Sequence, residues 1–103
     1  WNYKSNFMGK YQTMKKFIIE RDLPGAGNMT AEELQTISKT SVSAIAVLGK
    51  PYKWIESYVT GDKVYCIHEA ESEEVIREHA NCASFPINRI EEVKEVIGPA
   101  TAG

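Results

Sequence analysis

The only two histidines and the only two cysteines of this chain fall in one short stretch. They are Cys66 and His68 in Tyr65-Cys66-Ile67-His68-Glu69, followed by His79 and Cys82 in Arg77-Glu78-His79-Ala80-Asn81-Cys82. Thiolate and imidazole are the donors that borderline transition metals prefer, so the first chemistry to consider is binding of nickel, zinc or copper. No Cys-x-x-Cys or His-Glu-x-x-His pattern accompanies them, so the clustering suggests a metal without prescribing a coordination sphere. Glu20, Asp22, Glu69 and Glu71 are further candidates, either to complete such a sphere or to act as an acid-base pair; the plainer reading is solvated charge.

Each pair has a local geometry. On a strand Cys66 and His68 share a face because side chains alternate, and on a helix His79 and Cys82 lie on neighbouring positions of one surface. If that strand faces that helix, the two pairs converge. The alternatives are plain ones: His79 as a core-edge histidine satisfied by a hydrogen bond, and Cys66 as a small buried hydrophobe. Trp54, Tyr58 and Tyr65 are candidates for the walls of a ligand pocket or for sheet and interface packing.

The elements that must position these groups read as follows. Lys16 to Arg21 is a β-branched and aromatic run, stopped by Leu23-Pro24-Gly25. Gly25-Ala26-Gly27 lacks the third glycine and the following lysine of a phosphate loop, so loop flexibility explains it better. Thr30-Ala31-Glu32-Glu33 has the form of a capping box and opens a helix with Leu34, Ile37, Ser41, Ile45 and Leu48 on its inner stripe, ended by Gly49 and Pro51. Trp54 to Val59 and Val64 to Glu69 flank a tight turn and form a hairpin, with Trp54, Glu56 and Tyr58 expected on one face of the first strand. Ser72-Glu73-Glu74 caps a second helix that presents Val75, Ile76, His79, Ala80 and Ala83 inward and ends before Phe85-Pro86. Ile90 to Ile97 fits either period; a strand, preceded by a helical turn near Asn88 to Glu91, completes the unit.

The order β-α-β-β-α-β is the ferredoxin-like arrangement of the α+β class, an antiparallel sheet with both helices on one face. The other face needs a cover, and a second copy of the chain is the simplest one. With 103 residues and a formal net charge of -2, the chain fits one domain and offers no broad basic surface. Nucleic acid and anionic membrane are therefore unexpected partners, and the cysteines are expected as free thiols or ligands in the cytoplasm. The domain is read as 14–103, with residues 1–13 an N-terminal extension and Met8 an alternative start.

Several blocks together resemble a known family: Lys16-Phe17-Ile18-Ile19-Glu20-Arg21-Asp22-Leu23-Pro24-Gly25, Thr30-Ala31-Glu32-Glu33-Leu34, Ser57-Tyr58-Val59, Lys63-Val64-Tyr65-Cys66 and Ile76-Arg77-Glu78-His79-Ala80. The family is one of small bacterial proteins, long labelled a domain of unknown function, that contains a nickel-binding, nickel-responsive ferredoxin-like dimer. The resemblance runs from about Lys15 to Pro99. It implies a homodimer and a nickel site, with Cys66 and His79 at the positions that match the family's motif. His68 stands where relatives often carry an aromatic, and Cys82 lies outside the motif, so these rank next and last as ligands. Non-catalytic metal sequestration or sensing is the expected function. The alternative is a small-molecule binder, or an oxygenase- or isomerase-like α/β-barrel enzyme with its pocket between sheet and dimer mate and with His68 or His79 as acid-base group.

Overall fold

Residues 14–103 are described by a computed structural model, and the expected N-terminal extension lies outside them. Strand β1 (Lys15–Asp22) alternates cleanly, turning Phe17, Ile19 and Arg21 inward and Lys16, Ile18 and Glu20 outward. Helix α1 (Ala31–Leu48) begins at the expected capping box: the Thr30 hydroxyl accepts from the Glu33 backbone N–H at 3.1 Å, and the Glu33 carboxylate accepts from the Thr30 N–H at 2.8 Å. It stops at Gly49, whose φ of 65° is left-handed and suits a residue without Cβ. The hairpin strands are β2 (Tyr52–Val59) and β3 (Lys63–Ala70), and helix α2 (Glu73–Ala83) follows a Ser72 cap.

The four strands form an antiparallel sheet in the order β2-β3-β1-β4, with β4 spanning Arg89–Glu92. This is the expected α+β ferredoxin-like arrangement. The last strand differs from its expected position. It occupies the place assigned to a helical turn, with Ile90 opposite Ile19, and Val93 makes a last backbone bond to Lys16 at 2.7 Å. The pairing with β1 ends there, and Val96 and Ile97 are exposed.

A second difference lies in β2, where a bulge between Trp54 and Glu56 inserts Ile55 as an extra residue. Trp54 then pairs with His68 and Ser57 with Cys66, both on the inner face, while Glu56 pairs with Ile67 and Tyr58 with Tyr65 on the outer face. The expected grouping of Trp54, Glu56 and Tyr58 is broken because the bulge shifts the alternation by one. Inside, Phe17, Ile19, Cys66, Ala70, Val75 and Ile76 form the apolar core, with Leu48, Tyr52 and Ile90 packed on it.

The glycines of Gly25-Ala26-Gly27 dock one loop on another. The Gly27 N–H donates to Gly61 at 3.0 Å, the Leu23 N–H to Asp62 at 2.8 Å and the Gly25 N–H to the Asp62 carboxylate at 3.0 Å, so these donors are turned to the hairpin turn. A Cβ on Gly27 would lie 3.0 Å from both Gly61 Cα and the Thr60 carbonyl oxygen, and neither backbone atom can swing aside. Gly27→Ala is therefore expected to destabilise the domain by about 1–3 kcal/mol, measured as a lowered urea midpoint; an unchanged midpoint would show that the two loops are not docked.

Candidate functional site

The site begins with alternation on β3. Cys66, His68 and Ala70 are buried on the inner face, and α2 delivers His79 to the same space with no exposed surface. The two imidazoles meet edge to face, with ring centroids 5.4 Å apart. Tyr52, at the start of β2, holds both: its ring stacks on His79 at 4.5 Å and its hydroxyl lies 2.5 Å from His68 Nδ1. From α1 the Ser41 carbonyl lies 3.1 Å from His79 Nε2, linking the two helices through the imidazole.

Burial fixes the protonation of this cluster. Desolvation, assisted by the nearby Arg21 charge and by His79, pushes His68 down to about 3, and burial also lowers His79 against the opposing pull of the Ser41 carbonyl. Burial raises the Tyr52 phenol, so it keeps its proton and donates to His68 Nδ1. His68 then carries its own proton on Nε2. His79 donates Nε2–H to Ser41, which leaves Nδ1 as a buried lone pair without a partner among the described residues.

Beside the cluster lies a cavity of about 380 Å³ between the inner sheet face and the N-terminal half of α1. Cys66, His68, Ser41 and Arg21 contribute to its wall, together with apolar groups from α1 and β2. Trp54 turns into it and donates its indole N–H to Ser57 at 2.9 Å. Tyr58 and Tyr65 are on the opposite face, so the three aromatic residues do not wall one pocket; the bulge at Ile55 separates them.

Of the four sequence-predicted ligands, the structure brings His68 and His79 together, sets Cys66 beside His68 on the same sheet face, and leaves Cys82 exposed on α2. Both cysteines are free thiols. Among the described residues no group of three or more His, Cys, Asp and Glu side chains is arranged to hold a metal ion. Three of the four carboxylates considered as additional ligands are engaged elsewhere: Glu20 and Asp22 pair with Lys63 at 2.5 and 3.0 Å, and Glu69 lies 3.8 Å from Lys16. Two site residues escaped the sequence reading. Arg21 was legible as an inward position by its alternation with Phe17 and Ile19, whereas Tyr52 lies before the run that marked the strand.

The neutral imidazoles make stability depend on pH. A histidine whose folded pKa lies below its unfolded value of 6.5 adds no pH dependence above that value, because both states are then neutral. As pH falls from 6.5 toward 3, the unfolded chain takes up a proton that the folded chain refuses, and stability drops. His68 alone is expected to remove roughly 2 kcal/mol between about pH 6.5 and 4.5 in the metal-free protein. Urea unfolding across that range checks this, and His68→Phe should flatten the slope; a wild-type stability constant from pH 6.5 to 4.5 would show that His68 is charged in the fold.

Comparison with known proteins places this architecture. The chain matches the family described as nickel responsive protein SCO4226-like over residues 17–93. Its structure is similar to the crystal structure of SCO4226 from Streptomyces coelicolor A3(2), with a TM-score of 0.68 and 15% identity over 80% of this chain and 99% of that one. At that identity the structural likeness shows the fold alone. None of the curated proteins compared matches the chain. The family match covers most of the sequence and spans the sheet, both helices and the paired histidines, and the chain belongs to the SCO4226-like family of nickel responsive proteins.

Proposed function

We propose that this chain is a non-catalytic, cytoplasmic nickel-binding protein that works as a homodimer in sequestration or sensing, with His79 and Cys66 as its core ligands and His68 as the next donor. The observation that carries this reading is the tautomer of His79. Its Nε2–H is held by the Ser41 carbonyl, leaving the Nδ1 lone pair buried and unpartnered. Metal-bound histidines are commonly oriented in this way, one nitrogen donating to a backbone carbonyl and the other presented to the ion.

The donors fit nickel in kind: imidazole and thiolate are suited to a borderline divalent ion, which would serve here as the bound cargo or signal. They fall short in number, since no group of three metal-holding side chains exists among the described residues. Atoms of the backbone, of solvent or of a second copy would have to complete the sphere. For His68 to offer Nε2, its proton must move to Nδ1 and the Tyr52 oxygen must accept where it now donates. A hydroxyl can make that exchange by rotating its proton.

A dimer would suit the outer sheet face. Ile18, Tyr58, Tyr65 and Ile67 lie there among charged side chains, and Ile18 and Tyr58 are exposed. The ion pairs around them, such as Lys63 with Glu20 and Arg89 with Glu91 at 2.8 Å, are half-exposed or exposed and contribute little stability of their own. No described helix is long and apolar enough to cross a membrane.

The deciding experiment is titration of reduced, metal-free protein with Ni(II), followed by calorimetry and by thiolate-to-nickel absorbance. Saturable binding is expected, weakened at least tenfold in His79→Ala and stripped of its thiolate band in Cys66→Ser, with Cys82→Ser unchanged. A Cys82→Ser variant that lost binding, or wild-type protein that never saturated, would remove this ligand assignment.

A further inference from the structure

Arg21 is a buried cation with no buried anion. Its side chain is 5% exposed; Nη1 donates to the Pro86 carbonyl at 2.8 Å, the Phe85 ring centre lies 5.4 Å from Cζ, and Nη2 is buried with no partner among the described residues. The other buried polar residues are Ser41, His68 and His79, and no Asp or Glu is buried among the described residues. Asp22, the next residue on the strand, is exposed and pairs with Lys63. Residues 1–13 contain no Asp or Glu, so that segment has no side-chain carboxylate to supply.

The chain thus removes a permanent charge from water and leaves one edge of it unmatched. Guanidinium is planar and always charged, and its paired N–H groups suit the two oxygens of a carboxylate. Such a group is stable in an interior when an anion joins it. Arg21 lines a cavity of about 380 Å³, within the size range of small-molecule pockets, whose other walls include Leu34, Ile37, Trp54, Val64 and Phe85. An inorganic anion would satisfy the guanidinium and leave these walls against water, whereas a molecule with a carboxylate head and an apolar body satisfies both.

We propose that this cavity binds a small amphipathic carboxylate, its head on Arg21 and its apolar body between α1 and the inner face of the sheet. The path of the chain supports that placement. Ser84 closes α2 with a left-handed φ of 58°, a conformation usually left to glycine, and the Phe85 N–H returns to the Ala80 carbonyl at 2.8 Å. That turn sets Phe85 and Pro86 against the guanidinium, and all three residues line the cavity.

The test titrates metal-free, full-length protein with octanoate, octan-1-ol and acetate, read by calorimetry and by the chemical shift of the Trp54 indole N–H. Octanoate is expected to bind saturably and to shift that signal, at least tenfold more tightly than the uncharged alcohol and than acetate. Arg21→Met should bring octanoate down to the level of octan-1-ol. Should that variant fail to fold, Ile37→Trp keeps Arg21 and fills the cavity, and it must abolish octanoate binding. Equal affinity for octanoate and octan-1-ol, equal affinity for acetate, or no saturable octanoate binding overturns the proposal.

Discussion

The inner layer of this protein depends on keeping two imidazoles uncharged in a space closed to water. His68 and His79 take positions that hydrocarbon would fill in a simpler ferredoxin-like core, and each must find a polar partner there. Tyr52 supplies one and the Ser41 carbonyl the other, so β2, β3 and both helices meet through four residues. The contact between α1 and α2 is therefore polar at its centre. Moving α1 along α2 would leave the His79 Nε2–H without its acceptor, which costs more than the loss of ordinary apolar contact because the group cannot be rehydrated in place.

The two faces of the sheet divide the charge between them. Glu20, Glu69 and Glu91 lie outward and pair with Lys63, Lys16 and Arg89, while the inward-facing positions of β1 and β3 carry Arg21 and the neutral His68, and α2 adds the neutral His79. Strand alternation enforces this segregation, since the residue on either side of Arg21 must point away from it. On β4 the same alternation turns Glu92 to the inner side opposite Phe17, half-buried at the sheet edge and paired with Lys94 at 3.2 Å. No carboxylate is buried beside Arg21 and the histidines among the described residues, and α1 packs on α2 while its N-terminal half stands off the sheet over the cavity.

Much of this was legible in the residues themselves. The Thr30-to-Glu33 box, the Ser72 cap, the Gly49 stop and the period-two pattern of β1 and β3 are local signals, each readable without knowing what packs against it. They were enough to fix the ferredoxin-like order and to put Cys66 and His68 on one face. The errors came where the deciding interaction is distant. The bulge at Ile55 depends on how β2 must register against β3, and the place of β4 depends on which β1 residues remain free to pair. Tyr52 was passed over because its role lies in the imidazoles it holds, one of them 27 residues away on another element. Cys82 looked equivalent to His79 by spacing alone, yet α2 turns His79 to the sheet and leaves Cys82 in solvent.

The positive charge of the inner layer also bears on how a metal could be held there. The field of Arg21 already acts on His68, His79 and Tyr52, in each case opposing added positive charge. A divalent ion approaching the His79 Nδ1 lone pair meets that same field in a region of low dielectric, where it is poorly screened. A carboxylate on Arg21 would cancel it, and a thiolate at Cys66 would offset part of it. Cation and anion would then stabilise one another through a shared interior, and linkage requires the effect to be mutual: whatever the anion adds to metal affinity, the metal adds to anion affinity. A buried arginine beside soft metal donors is a poor arrangement for a cation alone and a reasonable one for a cation accompanied by its counter-charge.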